Sequence, residues 1–211
     1  SGRAPTNVRL VAVSKTVSED EILEAVAAGI TILGESKIQE ARDKIAHIGR
    51  KAQWHFIGRL QKNKVKYVFD LFDLIHSVDR SDLAREIHLG AARRGTVMPV
   101  LAQVNVSGEA SKSGIDPEHL EKLLAEISRF HGVRVMGLMT IPPYDPDPEK
   151  SRPHFARLRE LRDRMVRLGI ENISLRELSM GMSNDFAVAV EEGATLVRVG
   201  TAIFGERPDA T

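Results

Sequence analysis

Apolar residues along this chain fall into two alternating patterns. The first is a short continuous run. Eight such runs are centred on Val8–Val13, Thr31–Leu33, Trp54–Ile57, Leu74–Ser77, Val97–Val106, Val133–Met139, Arg176–Ser179 and Leu196–Val199. Most lack the strict alternation of a strand with one wet face. They predict strands covered on both faces, as in parallel sheets. The second pattern lies between the runs, where apolar residues recur at helical spacing. Ile38, Ala41, Ile45 and Ile48 share one face, as do Leu120, Leu123, Leu124 and Ile127. Phe155, Leu158, Leu161, Met165 and Leu168 repeat the pattern, and Phe186 and Val190 begin a last one.

Local signals bound these helices. Ser18 and Glu21 have the spacing of a capping box ahead of Ile22. Ser81 is the expected cap of a helix through Leu83, Ala84 and Ile87. Asp116-Pro117 opens another, with proline at the first helical position. Gly29, Gly49, Gly169 and Gly193 stand where helices should stop. Strand and helix alternating eight times predict an α/β fold, a closed (β/α)8 barrel, with a doubly wound open sheet as the alternative. No linker interrupts the alternation, so residues 1–211 read as a single domain. Pro142 to Pro153 reads as a long loop at the active-site end.

Composition narrows the class. The chain has 211 residues, a net charge of +1 and no cysteine. The balanced charge speaks against nucleic acid and membrane surfaces as partners. The lack of cysteine excludes disulfides, thiol nucleophiles and thiolate metal sites, and fits a reducing, cytoplasmic compartment. No run approaches the length of a membrane span, and no signal-peptide pattern opens the chain. It begins at Ser1, so the native chain is expected to extend upstream. Lys62, Lys64 and Lys66 read as a solvated face. His47, His55 and His76 lack metal-ligand spacing, so no metal is expected. Nothing suggests a coiled coil, and a monomer is the expectation.

Candidate chemistry sits where barrel enzymes place it, at the carboxyl ends of strands. Lys15 closes the first run, where an amine can act as a nucleophile. Strand seven runs into Ser179-Met180-Gly181-Met182-Ser183, and strand eight into Arg198-Val199-Gly200-Thr201-Ala202. Small residues there let backbone N–H groups approach an anion, and Ser183, just ahead of a helix, adds a hydroxyl. A lysine facing a phosphate cradle points to pyridoxal 5′-phosphate, with Arg198 directed at the pyridine nitrogen. A phosphate-binding aldolase that uses Lys15 as its imine lysine is the alternative.

The motifs also carry a resemblance. Leu10-Val11-Ala12-Val13-Ser14-Lys15-Thr16 resembles the cofactor-lysine strand of the pyridoxal phosphate homeostasis family, also called the proline synthase co-transcribed family. Gly34-Glu35-Ser36-Lys37-Ile38-Gln39-Glu40 is similar to its second motif. His55-Phe56-Ile57-Gly58-Arg59-Leu60-Gln61-Lys62-Asn63-Lys64 is similar to its third. The strand seven and eight segments resemble its last two. The likeness runs through essentially the whole chain.

The resemblance implies a barrel like the N-terminal domain of alanine racemase; the family's extra N-terminal helix is expected to be either lacking or not shown, since only seven residues precede Val8. It implies cofactor held as an imine on Lys15, phosphate held by Ser183, Gly200 and Thr201, and Arg198 at the ring nitrogen. Ser36, His55, Ser77, Asn105, Met139, Met180 and Met182 are expected around the pocket. The family usually has asparagine at the position of Ser36. It further implies a role in vitamin B6 homeostasis and amino-acid balance, with recipient pyridoxal phosphate enzymes as partners and no established turnover. A racemase of low activity is the enzymatic alternative. It would need a second acid/base, for which only His55, His76 and Tyr144 offer themselves.

Overall fold

The computed structural model describes residues 2, 4–109 and 111–206. Eight parallel strands close into a barrel in chain order. They are β1 (Arg9–Val13), β2 (Ile32–Glu35), β3 (Gln53–Phe56), β4 (Leu74–Val78), β5 (Met98–Gln103), β6 (Val133–Met139), β7 (Ile173–Ser179) and β8 (Leu196–Val199). Closure comes from β1 pairing with β8, Ala12 beside Val199. The helices are α1 (Glu19–Ala27), α2 (Ile38–Ile48), α3 (Val68–Leu71), α4 (Ser81–Ala92), α5 (Leu120–Ile127), α6 (Arg152–Leu168), α7 (Phe186–Glu191) and α8 (Thr201–Phe204).

Strand periodicity divides the core in two. Val11, Ile32, Leu74, Leu101, Met139 and Leu196 meet inside the barrel. Their neighbours in sequence, such as Ala12, Leu33, Ile75 and Val197, face the helices and join a larger core with Trp54, Phe56 and Phe155. Both faces are dry, which is why the runs are continuous.

The helix signals hold with one exception. Ser18 caps α1 in a capping box with Glu21. Asp116 caps a 3-10 turn over Pro117–His119 that leads into α5. Gly169 closes α6 in the left-handed region. The exception is Ser81, which is the first residue of α4. Arg80 holds the cap position and no side chain caps it.

Strand limits move at two places. The fifth run was expected to reach Val106, but the strand ends at Gln103, and Val104 pairs instead with Ile115 of its own loop. β7 begins three residues before its expected start, at Ile173. The expected Pro142–Pro153 loop ends early: a 3-10 turn at Pro148–Ser151 feeds α6, whose first turn accepts Pro153.

Candidate functional site

Lys15 is the second residue past β1, exposed in the turn between Ser14 and Val17. What lies behind it is buried and charged. Lys44 of α2 is 7% exposed and Glu35 at the end of β2 is fully buried. The Lys44 ammonium donates to Glu35 at 2.8 Å, to Glu40 at 2.7 Å and to the Ser14 carbonyl at 2.5 Å. The Ser14 hydroxyl donates to Glu35 at 2.7 Å. Glu40 accepts from the Thr16 N–H at 2.5 Å. Thr16 has a φ of 61°, a left-handed conformation that a β-branched residue rarely adopts. The backbone on both sides of Lys15 is thus gripped by α2, through Lys44 on one side and Glu40 on the other.

The charges explain why the grip holds. Burial pushes the Glu35 carboxyl up, and the Lys44 ammonium and Ser14 hydroxyl oppose it. Burial pushes Glu40 up as well, but the hydrogen bonds from Lys44 and Thr16 outweigh it and leave Glu40 below its usual range. Two carboxylates and one ammonium share a dry space, and each needs the others.

Facing Lys15 across the barrel seam is a cradle of backbone N–H groups. Gly200 and Ala202 both donate to the Ser183 hydroxyl, at 3.2 and 3.4 Å. The Thr201 N–H between them has no acceptor among the described residues. The helix after Ser183, α7, starts only at Phe186, and the Ser183 hydroxyl instead accepts from the N–H groups at the start of α8. Gly181 sets the approach. Its φ is 91°, and a Cβ there would lie 2.5 Å from that of Ala189.

Below the cradle, Arg198 is 3% exposed. It donates to the Ser179 hydroxyl at 2.6 Å and the Thr140 carbonyl at 2.9 Å. Burial lowers its pKa to about 10, against the pull of Asp185. The Ser179 hydroxyl lies 2.9 Å from His76 Nδ1, and His76 Nε2 lies 3.0 Å from His55 Nδ1. Arg198 can only donate. One arrangement satisfies every proton: the Ser179 hydroxyl donates to His76, and His76 Nε2–H donates to His55. Both rings are neutral in it. Burial holds His55 down to about 3, aided by Arg9. Burial, then His55, Arg198 and Arg9, hold His76 well below its ordinary value.

Other expected pocket residues scatter. His55 lines a cavity at the opposite end of the barrel with Arg9, Gln53 and Glu177, away from the mouth. It is the third of the four residues of β3, but it pairs with Leu74 at the start of β4 and so sits at the amino-terminal level of the barrel. The Asn105 amide is committed to its own loop, donating to Glu109 and accepting from Ser107 and Gly108. Met139 is part of the inner apolar layer. Met180 packs in the outer core, and Met182 is half-buried. Ser36 is half-buried and lines a separate cavity outside the seam. The Ser77 hydroxyl is buried with no partner, an orphan that a bound polar group would satisfy.

Glu35, Glu40, Lys44 and Ser179 were not singled out as acting on the site. The Glu40–Lys44 spacing of four on a helix was the visible signal for two of them. Ser179 ends a strand one residue before the glycine loop.

The alanine racemase N-terminal domain model matches residues 1–208. The pyridoxal phosphate homeostasis protein of Aquifex aeolicus is 48% identical over 208 residues, covering 98% of this chain and 90% of its own. The chain belongs to the pyridoxal phosphate homeostasis protein family. The Escherichia coli homeostasis protein is 39% identical, over 98% of this chain and 88% of its own. Among solved structures, PipY of Synechococcus elongatus with PLP bound superposes with a TM-score of 0.88 at 36% identity, covering 96% of this chain and 95% of that one. Alanine racemase of Corynebacterium glutamicum has a TM-score of 0.73 at 17% identity and covers 97% of this chain but 58% of its own, a likeness of fold. Among the described residues no acidic, histidine or cysteine cluster could hold a metal, and no helix is long and apolar enough to cross a membrane.

The residues fit the cofactor in that PipY structure. An exposed primary amine, an N–H cradle with a donor to spare and a buried guanidinium lie along one seam. They match an aldehyde, a phosphate and a ring nitrogen.

Proposed function

We propose that this protein binds pyridoxal 5′-phosphate covalently through Lys15 and serves the homeostasis of that cofactor. One observation carries the reading. The β1–β8 register sets the Lys15 turn beside the Gly200–Ala202 cradle, with Arg198 beneath. When bound, the cofactor supplies an aldehyde and an electron-withdrawing ring. The protein's own groups do the rest. The α2 grip orients the Lys15 amine. Ser183 and the N–H groups of Gly200 and Thr201 hold the phosphate. Arg198 places a buried cation at the ring nitrogen, which disfavours a proton there and weakens carbanion stabilisation.

Holding and delivery, rather than turnover, follow from the neighbourhood. Racemisation needs a second acid/base opposite Lys15. His55 and His76 are committed to each other and held neutral in the barrel interior. Tyr144 is 74% exposed on its loop. Delivery to recipient enzymes, by a cytoplasmic monomer, completes the reading. Its exposed apolar side chains, such as Leu10, Leu89, Ile141 and Phe186, lie on different elements. The test is a titration of wild type and Lys15→Ala with pyridoxal phosphate. Wild type develops a visible absorption band that borohydride fixes at Lys15, and the variant does not. Equal spectra and equal binding in the two proteins overturn the assignment.

A further inference from the structure

Among the described residues, no side chain of the motif running from His55 to Lys64 bonds to the cradle or to the grip on Lys15; its backbone pairs β3 with β2 and β4. Its second half builds a different feature. A cavity of about 300 Å³ lies between the start of α2, the loop after β3 and the turn leading into α3. Lys37, Arg42, Arg59 and Lys64 line it, and no carboxylate does. Phe56 and Tyr67 supply apolar and aromatic surface.

The charge there is uncompensated. Arg42 meets Asp43 at 3.1 Å. Lys37 contributes to the field that lowers Glu40, but Glu40 is bonded to Lys44. Lys37, Arg59 and Lys64 form no ion pair among the described residues, and the Lys64 ammonium lies 5.9 Å from the centre of the Tyr67 ring. Neighbouring cations are neutralised: Lys62 by Asp82 at 2.7 Å, Arg80 by Asp79 at 2.7 Å and Arg50 by Asp73 at 3.3 Å. Like charges gathered in a concavity repel one another and focus a positive potential on its interior.

We propose that this cavity is a second binding site, separate from the Lys15 seam, for a small phosphate monoester with a flat apolar body. A monoester carries close to two negative charges at neutral pH and several acceptor oxygens, which suits three uncommitted cations. The volume is that of a small-molecule pocket. A nucleic acid strand would need a continuous basic stripe, and Lys62 is withdrawn from any such stripe by Asp82. The flat body would lie against the Tyr67 ring, which is 40% exposed, with buried Phe56 behind the pocket floor.

The test is amide-shift mapping of the full chain by nuclear magnetic resonance, with adenosine monophosphate, adenosine and inorganic phosphate as probes. Adenosine monophosphate is expected to shift the amides of residues 37–42 and 59–67. Arg59→Ala combined with Lys64→Ala should weaken that binding about tenfold or more. Neither side chain makes an ion pair or hydrogen bond among the described residues, so the variant spectrum should otherwise keep the wild-type dispersion. Inorganic phosphate should bind more weakly, and adenosine should not shift these residues. No shifts up to about 10 mM, shifts confined to Ser183 and Gly200–Ala202, or equal affinity in the double variant would each overturn the site. Adenosine binding as well as its phosphate overturns the anion class, and phosphate binding as well as the nucleotide overturns the flat body. Because the readout is positional, it stands whatever the outcome at Lys15.

Discussion

The two sides of the barrel seam are built from opposite materials. The Lys15 side rests on full charges in a dry space: Lys44 between Glu35 and Glu40. The cradle side rests on backbone N–H groups, one hydroxyl and small residues. The difference follows from the roles proposed for the two sides. A single amine has to be aimed, and its backbone is held in a strained left-handed turn at Thr16, so strong and directional contacts are needed. A phosphate brings its own charge and satisfies N–H groups directly, so that side needs space and free donors. Disturbing the first side should therefore threaten the fold, and disturbing the second should mainly threaten holding.

The largest effect expected is that of Lys44→Met. It strands the fully buried Glu35 and the partly buried Glu40 with no cation. Removing one partner of a buried pair costs about 3–5 kcal/mol. Urea unfolding should show that loss. Adding Glu35→Gln should recover much of it, because the orphaned charge is gone. A single variant as stable as wild type would mean that the grip carries no weight.

Next comes acid. His55 is held near 3 and His76 well below its ordinary value, while both would titrate near 6.5 in the unfolded chain. Their folded values are depressed and it is the neutral form that folds. The stability they contribute is therefore complete above about pH 6.5 and is lost as pH falls towards 3. By pH 5 the loss from His55 is about 2 kcal/mol, and His76 adds to it in the same direction. Unfolding at pH 7.5 and 5.0 should show it, and His55→Gln with His76→Gln should flatten the difference. His76 is joined to Arg198 by hydrogen bonds through Ser179 and by direct charge repulsion, so the same acid range should reach the cradle side of the seam first.

These two predictions rest on residues with very different visibility in the sequence. The barrel was legible because each strand is dry on both faces and each helix has one apolar face. Lys15, Ser183 and Arg198 could be nominated because they end strands or sit in glycine loops. The grip was not. Glu35 closes an apolar strand and Lys44 stands in a polar helix, and both look like surface residues until α2 is laid against β2. His55 was misread for a related reason. Strand membership and facing were clear, but its depth along the barrel depends on where the strand begins. His55 is the third of four residues in β3, but it pairs with Leu74 at the very start of β4, which puts it at the amino-terminal level of the barrel. Periodicity reports facing and says nothing about depth.

Smaller effects separate the cradle from the grip. Gly181→Ala imposes a side chain at a φ of 91°, with its Cβ 2.5 Å from that of Ala189. The strain is about 1–3 kcal/mol. Because the Gly181 carbonyl accepts from the Arg198 N–H, the guanidinium should shift with it. The expected result is lower thermal stability together with weaker cofactor uptake. A drop in stability alone would separate Gly181 from the site.

Ser183→Ala should do least to the fold and most to distinguish the two sides. The hydroxyl accepts two long hydrogen bonds, at 3.2 and 3.4 Å, from N–H groups near the surface, where water can replace it. The stability change should stay within about 1 kcal/mol. Phosphate loses one hydroxyl partner but keeps the N–H groups, so pyridoxal phosphate should bind several-fold more weakly, on the order of 3- to 10-fold. The visible band at saturation should be unchanged, since Lys15 and its α2 grip are untouched. Uptake is measured by titration and the band by its wavelength, so the two readouts are independent. A shifted band with unchanged affinity would reverse the division of labour: Ser183 would then be aiming the amine, and the cradle would not be the holding side.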